Sequence, residues 1–160
     1  MTHSLRFRSG QVQLRRFRVR EEDAITPGDL MVQDGVHARP MSSVAWTGTA
    51  SGTRAAAGEA FLGVAHSASA AGEASPVSVD VSAMSVYEVA VRSGSFEVGD
   101  LLAADEDGAG LISDRMDEVS DPIEAIARAA EYTQGPVERL RVTFASSVNT
   151  ASANAAAQLG

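Results

Sequence analysis

The chain has 160 residues, 21 carboxylates against 13 arginines, no lysine and no cysteine, for a formal net charge of −8. A chain this long buries about 70% of its unfolded surface, enough for one domain or two very small halves sharing a core. The missing cysteine excludes a disulfide framework and a thiolate metal site, and no run of about 18 apolar residues is present to span a membrane.

The charge is unevenly placed. Residues 1–20 carry Arg6, Arg8, Arg15, Arg16, Arg18 and Arg20 and no acid, which leaves seven arginines to face all 21 carboxylates. The start, "MTHSLRFRSG", lacks the apolar centre of a secretory leader, so the protein is expected to be made and used without export. "QVQLRRFRVRE" reads as strand, with Val12 and Leu14 on one face and Phe17 and Val19 on the opposite parity. A bulge or break at Arg15–Arg16 restores a single apolar face. Such a basic extended segment gains most by pairing with another chain's sheet edge. Residues 1–24 are therefore read as an arm whose contact residues are Arg6, Arg8, Arg15, Arg16, Phe17, Arg18 and Arg20. The acidic remainder repels phosphate, which disfavours nucleic acid as the main partner.

From Ile25 the pattern is β. "ITPGDLMVQDGVHARPM" holds a Pro-Gly turn, a short apolar strand, an Asp-Gly turn and a second strand ending near Pro40. "VAWTGTASGTRAAAGEA" is rich in Gly, Ala, Ser and Thr and is expected to be a long surface loop. "FLGVAHSA" is a buried strand, followed by a turn in "SAAGEAS". In "PVSVDVSAMSVYEVAV" the odd positions are apolar, predicting one long strand or two with a break around residues 82–85.

The pattern then recurs. "ITPGDLMVQDG" is echoed by "FEVGDLLAADEDG", and "FLGVAHSASAAGEASPVSVDV" more faintly by "IEAIARAAEYTQGPVERLRVTF". Two related β units, residues 25–81 and 96–144, are expected to close one small barrel or sandwich, since neither alone hides its apolar face. One segment carries two readings. In "SDPIEAIARAAEY", Asp121 and Pro122 head a helical spacing of Ile123, Ile126, Ala127 and Ala130, whereas the repeat favours a strand. Residues 145–160 form a nearly uncharged, low-complexity tail with no fold of its own expected.

Catalytic and metal signals fail on spacing. "DEDG" at Asp105–Gly108 lacks the ligand pattern of a calcium loop and reads as an acidic hairpin turn. Asp114, Asp117, Glu118 and Asp121 read as a solvated loop face. His3, His37 and His66 have no second ligand at metal spacing, and His66 is expected to be a hydrogen-bonded structural histidine. No G-x-S-x-G elbow occurs, and "GAG" at Gly108–Gly110 is too little for a phosphate loop. Trp46 is read as a barrel plug before a sugar-stacking platform. The expectation is a protein that is not an enzyme and uses no cofactor or metal.

Taken together, "PGDL", "FLGVA", "VSVDV", "YEVAV", "VGDLL", "DEDG" and "VERLRVTF", in this order over residues 25–144, resemble a family of small tailed-phage proteins associated with capsid decoration, or cementing. The segment "IEAIARA" departs from the glycine-containing strand usual in that family. The resemblance implies a compact β barrel on the exterior of the virion capsid, made in the host cytoplasm. It also implies the major capsid protein and further copies of itself, as a homotrimer, as partners. The basic arm would then grip neighbouring subunits. The alternatives are another virion component, such as a head-fibre base or tail protein, and a soluble β-sandwich module for a sugar or peptide.

Overall fold

The computed structural model describes residues 5–148, and the chain is mostly β, as expected. In order, β1 is Arg6–Ser9, β2 Leu14–Phe17, β3 Leu30–Asp34, β4 His37–Pro40, α1 Ala50–Ala60 and β5 Phe61–Ala65. There follow β6 Val77–Asp80, β7 Val86–Gly94, β8 Leu101–Glu106, β9 Leu111–Glu118, β10 Ala127–Ala129 and β11 Val137–Phe144. The strands form two sheets, β2-β6-β5-β3-β4 and β1-β7-β11-β10-β8-β9. A parallel pairing of β7 with β9 closes the second sheet into a five-stranded barrel, with β1 added outside it on β7.

Set side by side, the two sheets have one plan. The order 2-6-5-3-4 becomes 7-11-10-8-9 when each strand number is raised by five. The first sheet's outer strands also meet in parallel, through an Arg18–His37 bridge that corresponds to Ala90–Arg115 between β7 and β9. The repeated Gly-Asp pair explains the match locally. Asp29 accepts from Thr26 N at 2.8 Å, and Asp100 from Glu97 N at 2.7 Å. The preceding glycines have φ of +98° and +95°, which an L side chain adopts only with strain. Each turn then locks onto the strand at the middle of its half's sheet order: Gly28 N reaches Ala65 O at 2.8 Å, and Gly99 N reaches Ala129 O at 2.9 Å. The repeat thus runs from β2 and from β7, and residue 24 marks no boundary in the fold.

Alternation divides the first sheet between two cores. Met31, Leu62, Ala65, Val77 and Val79 fill its interior together with Val19 and Ile25. Leu30 and Val32, on the opposite parity of β3, join the larger core built by the second half, which includes Val89, Leu102, Met116, Leu140 and Val142; Phe61 and Val64 join it from β5, whose alternation is shifted by an irregularity in its pairing with β3. Neither half hides its apolar surface without the other.

Three expectations are corrected. Residues 50–60 are a helix and not a loop. Thr49 caps it through Gly52 N at 3.1 Å, and Thr53 and Ala57 are buried beneath it. Its glycines serve close packing, since a Cβ on Gly58 would lie 3.0 Å from Ile123 O and one on Gly52 would lie 2.7 Å from Thr47 Oγ1. Of the two readings of residues 121–132, the strand that the repeat favoured is present as β10, after a single turn in which Asp121 Oδ1 and O take the amides of Ile123 and Glu124. The chain then enters β10 between β8 and β11. Asp114, Asp117 and Glu118 belong to β9 and not to a loop. Trp46 is half-buried but packs against neither core, so it plugs no barrel. The break between β6 and β7 falls at residues 81–85, as the alternation suggested. The tail beyond residue 148 and His3 lie outside the described residues.

Candidate arginine interface

The N-terminal segment is extended, but its backbone is used within its own chain. β1 lies antiparallel on β7, and β2 antiparallel on β6. The expectation of a strand free to add to a neighbour's sheet is therefore corrected for β2, which is the first strand of its half. Val19 and Leu5 are buried anchors at either end. Between them β1 is exposed throughout, and Leu14, Arg15 and Arg16 of β2 face solvent.

A buried polar cluster fastens this segment. Asp80, 3% exposed, accepts from Gln13 N at 2.9 Å, Ser82 N at 3.0 Å, Ser85 Oγ at 2.6 Å and Tyr87 Oη at 2.7 Å. Burial pushes this carboxyl upward, and the four donors outweigh it, so its pKa lies below the ordinary carboxylate range. Burial and the hydrogen bond to Asp80 push the Tyr87 phenol far above its usual value. Because the Tyr87 hydroxyl donates to Asp80, His66 Nε2, 2.6 Å away, is the donor to Tyr87. His66 is thus the hydrogen-bonded structural histidine expected. Ser85 is turned to Asp80 and not to a histidine, so the cluster joins strands and assembles no activated nucleophile.

The arginines fall into two groups. On β2 and just after it, Arg15, Arg16 and Arg18 are exposed and, like Arg6 on β1, form no ion pair among the described residues. Arg20 is held by Asp34 at 2.7 Å. Phe17, counted among the arm's contact residues, is half-buried against the first half's core and is a packing residue. The second group spans strands the composition had assigned to the acidic body. In register, Arg6 of β1, Glu88 of β7 and Arg141 of β11 form one row across the sheet. Arg8 and Arg139 approach Glu88 at 2.9 and 3.0 Å, and their hydrogen bonds hold its carboxyl below the usual range. Arg92 and Arg115 meet behind this row on Asp105, at 2.6 and 2.5 Å. The outer wall of β1, β7, β11 and β9 therefore carries Arg6, Arg8, Arg92, Arg115, Arg139 and Arg141.

Sequence reasoning missed this wall because its arginines are spread over 136 positions and only strand pairing gathers them. It also took Asp105 for a turn residue. The hairpin is present, closed by Asp107 N to Gly110 O at 3.0 Å, yet Asp105 is wholly buried. No group of three or more histidine, aspartate or glutamate side chains suited to a metal occurs among the described residues. Comparison of the chain with protein-family models and with curated proteins yields no match.

Proposed function

We propose that the protein is a structural attachment protein that sets its arginine-bearing face against an acidic protein lattice, and that this lattice is the exterior of a tailed-phage capsid. The observation that carries attachment is the set of exposed guanidiniums, Arg6, Arg15, Arg16 and Arg18, without ion pairs among the described residues of a chain of net charge −8. Surrounded by an excess of carboxylates, these arginines add little to their own fold and are available to a partner. Each exposed pair contributes only about 0.2–1 kcal/mol, and repetition over many linked copies makes the sum large. The capsid itself, with the major capsid protein and further copies of this chain as partners, is supported by the resemblance of residues 25–144.

The test is co-sedimentation with undecorated expanded capsids. Removing residues 1–20 is unsuitable, because it takes β1, β2 and the buried Val19 away from the fold. The informative variant combines Arg6→Gln, Arg15→Gln, Arg16→Gln and Arg18→Gln. Wild-type binding that weakens with salt and falls ten-fold or more in the variant supports the reading; binding equal to wild type overturns it. The half-exposed Trp46, free of both cores, favours a sugar or peptide module as second reading, and glycan binding lost in Trp46→Ala would establish that instead.

A further inference from the structure

Beside the seam that closes the second half lies a cleft of about 510 Å³, lined in part by Ala90, Arg92, Arg115, Glu138 and Arg139. It originates in a size mismatch across three strands. In register, Ala90 of β7 stands between Arg139 of β11 and Arg115 of β9, so a methyl group separates two long side chains. Behind them Asp105 has no exposed side-chain surface, whereas Arg92 and Arg115 are 52% and 45% exposed. Arg92 donates Nη2–H to Oδ1 and Arg115 donates Nε–H to Oδ2, while Glu106 N–H supplies a third bond at 2.8 Å. Asp117 lies 3.7 Å from Arg92 Nε. A guanidinium has five N–H donors, so both arginines keep donors beyond those Asp105 takes. They are also aimed before any partner arrives, which lowers the ordering cost of binding.

The first half supplies an internal comparison. Its seam has Arg18 where the second has Ala90, Arg20 for Arg92, Asp34 for Asp105 and His37 for Arg115. Arg20 reaches Asp34 at 2.7 Å, but there the carboxylate is 47% exposed and a long side chain occupies the position of the methyl. The same frame is opened in the second half and backed by a buried carboxylate.

We propose that this cleft receives one carboxylate side chain, aspartate or glutamate, from an acidic partner protein, gripped by Arg92 and Arg115 with Asp105 as their positioning residue. The inference rests on the attachment reading and names its anchor. Glu138 on the lining opposes a second negative charge in the cleft, as the neighbouring phosphates of a polyphosphate chain would bring. A single carboxylate side chain on a protein surface meets that condition, and Arg grips it in planar, two-bond geometry.

The test titrates the full-length protein with the peptide Ac-Ala-Glu-Ala-Asp-Ala-amide and follows the Arg92 and Arg115 Nε–Hε resonances. Saturable shifts are expected, with affinity at least ten-fold lower in Ala90→Arg and in the smaller Ala90→Leu, both confirmed folded by thermal melts. Arg128→Gln, at an exposed position of β10, should bind as wild type. The absence of saturable shifts, unchanged affinity in both Ala90 variants, or tighter binding of inorganic phosphate or a DNA oligomer would overturn the proposal. Capsid co-sedimentation separates the two readings. Peptide binding without capsid attachment overturns attachment and leaves the cleft; attachment undiminished by Ala90→Arg overturns the cleft as anchor and leaves attachment.

Discussion

The first half, β2 to β6, and the second, β7 to β11, run the same course through space with little sequence in common beyond a Gly-Asp turn. They differ at their seams. The first meets edge to edge through one bridge, Arg18 to His37, with the Arg20–Asp34 pair in solvent. The second pairs over Ala90–Arg115 and Val91–Met116 and has drawn the corresponding carboxylate, Asp105, wholly inside. A backbone plan held by a few turn hydrogen bonds and by alternation leaves the outward-facing positions free to vary. In this protein the variation has concentrated arginine on one wall.

The largest effect expected from breaking the comparison lies at Asp80, whose place in the second half is taken by Thr143. Asp80→Ala orphans two backbone amides and two hydroxyls around a buried site and is expected to destabilise by about 3–4 kcal/mol. Thr143→Ala should lose about 1 kcal/mol or less; urea unfolding of the two variants measures the gap. Next comes the seam itself. Asp105→Ala breaks a buried pair, although the arginines left behind reach water, so about 2–3 kcal/mol is expected. Asp34→Ala removes an exposed pair and should lose under about 1 kcal/mol. Equal losses at the two aspartates would deny the difference in burial.

The turn predicts likeness instead. Gly28→Ala and Gly99→Ala each force an L residue to positive φ and should destabilise alike, by about 1–2 kcal/mol. Unequal values would show that the two turns are not energetically equivalent. The smallest expected effect is the pH dependence from Asp80. Its pKa is lowered on folding, so its stabilisation is complete above the unfolded carboxylate value of about 3.9 and is lost as pH falls through the folded value. Acid titration of the unfolding midpoint should show a shallower low-pH limb in Asp80→Asn than in wild type, and an unchanged limb would contradict the direction of the shift.

The reading of individual residues shows where local pattern suffices. Alternation in "VSVDV" and "YEVAV", the Asp-Gly turn at 34–35 and the echo of "GDL" identified the strands, a break around residues 82–85 and the repeat. The echo favoured strand at β10 where capping residues and helical spacing suggested a helix; a packing slot between β8 and β11 overrode local preference there. Local composition misled at α1, where Gly52 and Gly58 resemble loop punctuation but admit neighbouring atoms. The arm's extended form was legible from "QVQLRRFRVRE". Its docking on β6 and β7 was not, because the strand's partner lies 60 or more residues away and edge pairing leaves no local trace.

From the sequence by itself came the β class, the two units, the uneven charge and the lack of metal spacing, all properties of neighbouring residues or of sums along the chain. Only the tertiary structure decided that the basic segment belongs to its own sheets, that Asp105 is buried, and that arginines from β1, β7, β9 and β11 share one wall. Those features depend on strand register, which brings together residues far apart in the chain, and register is set by the packing of both cores at once.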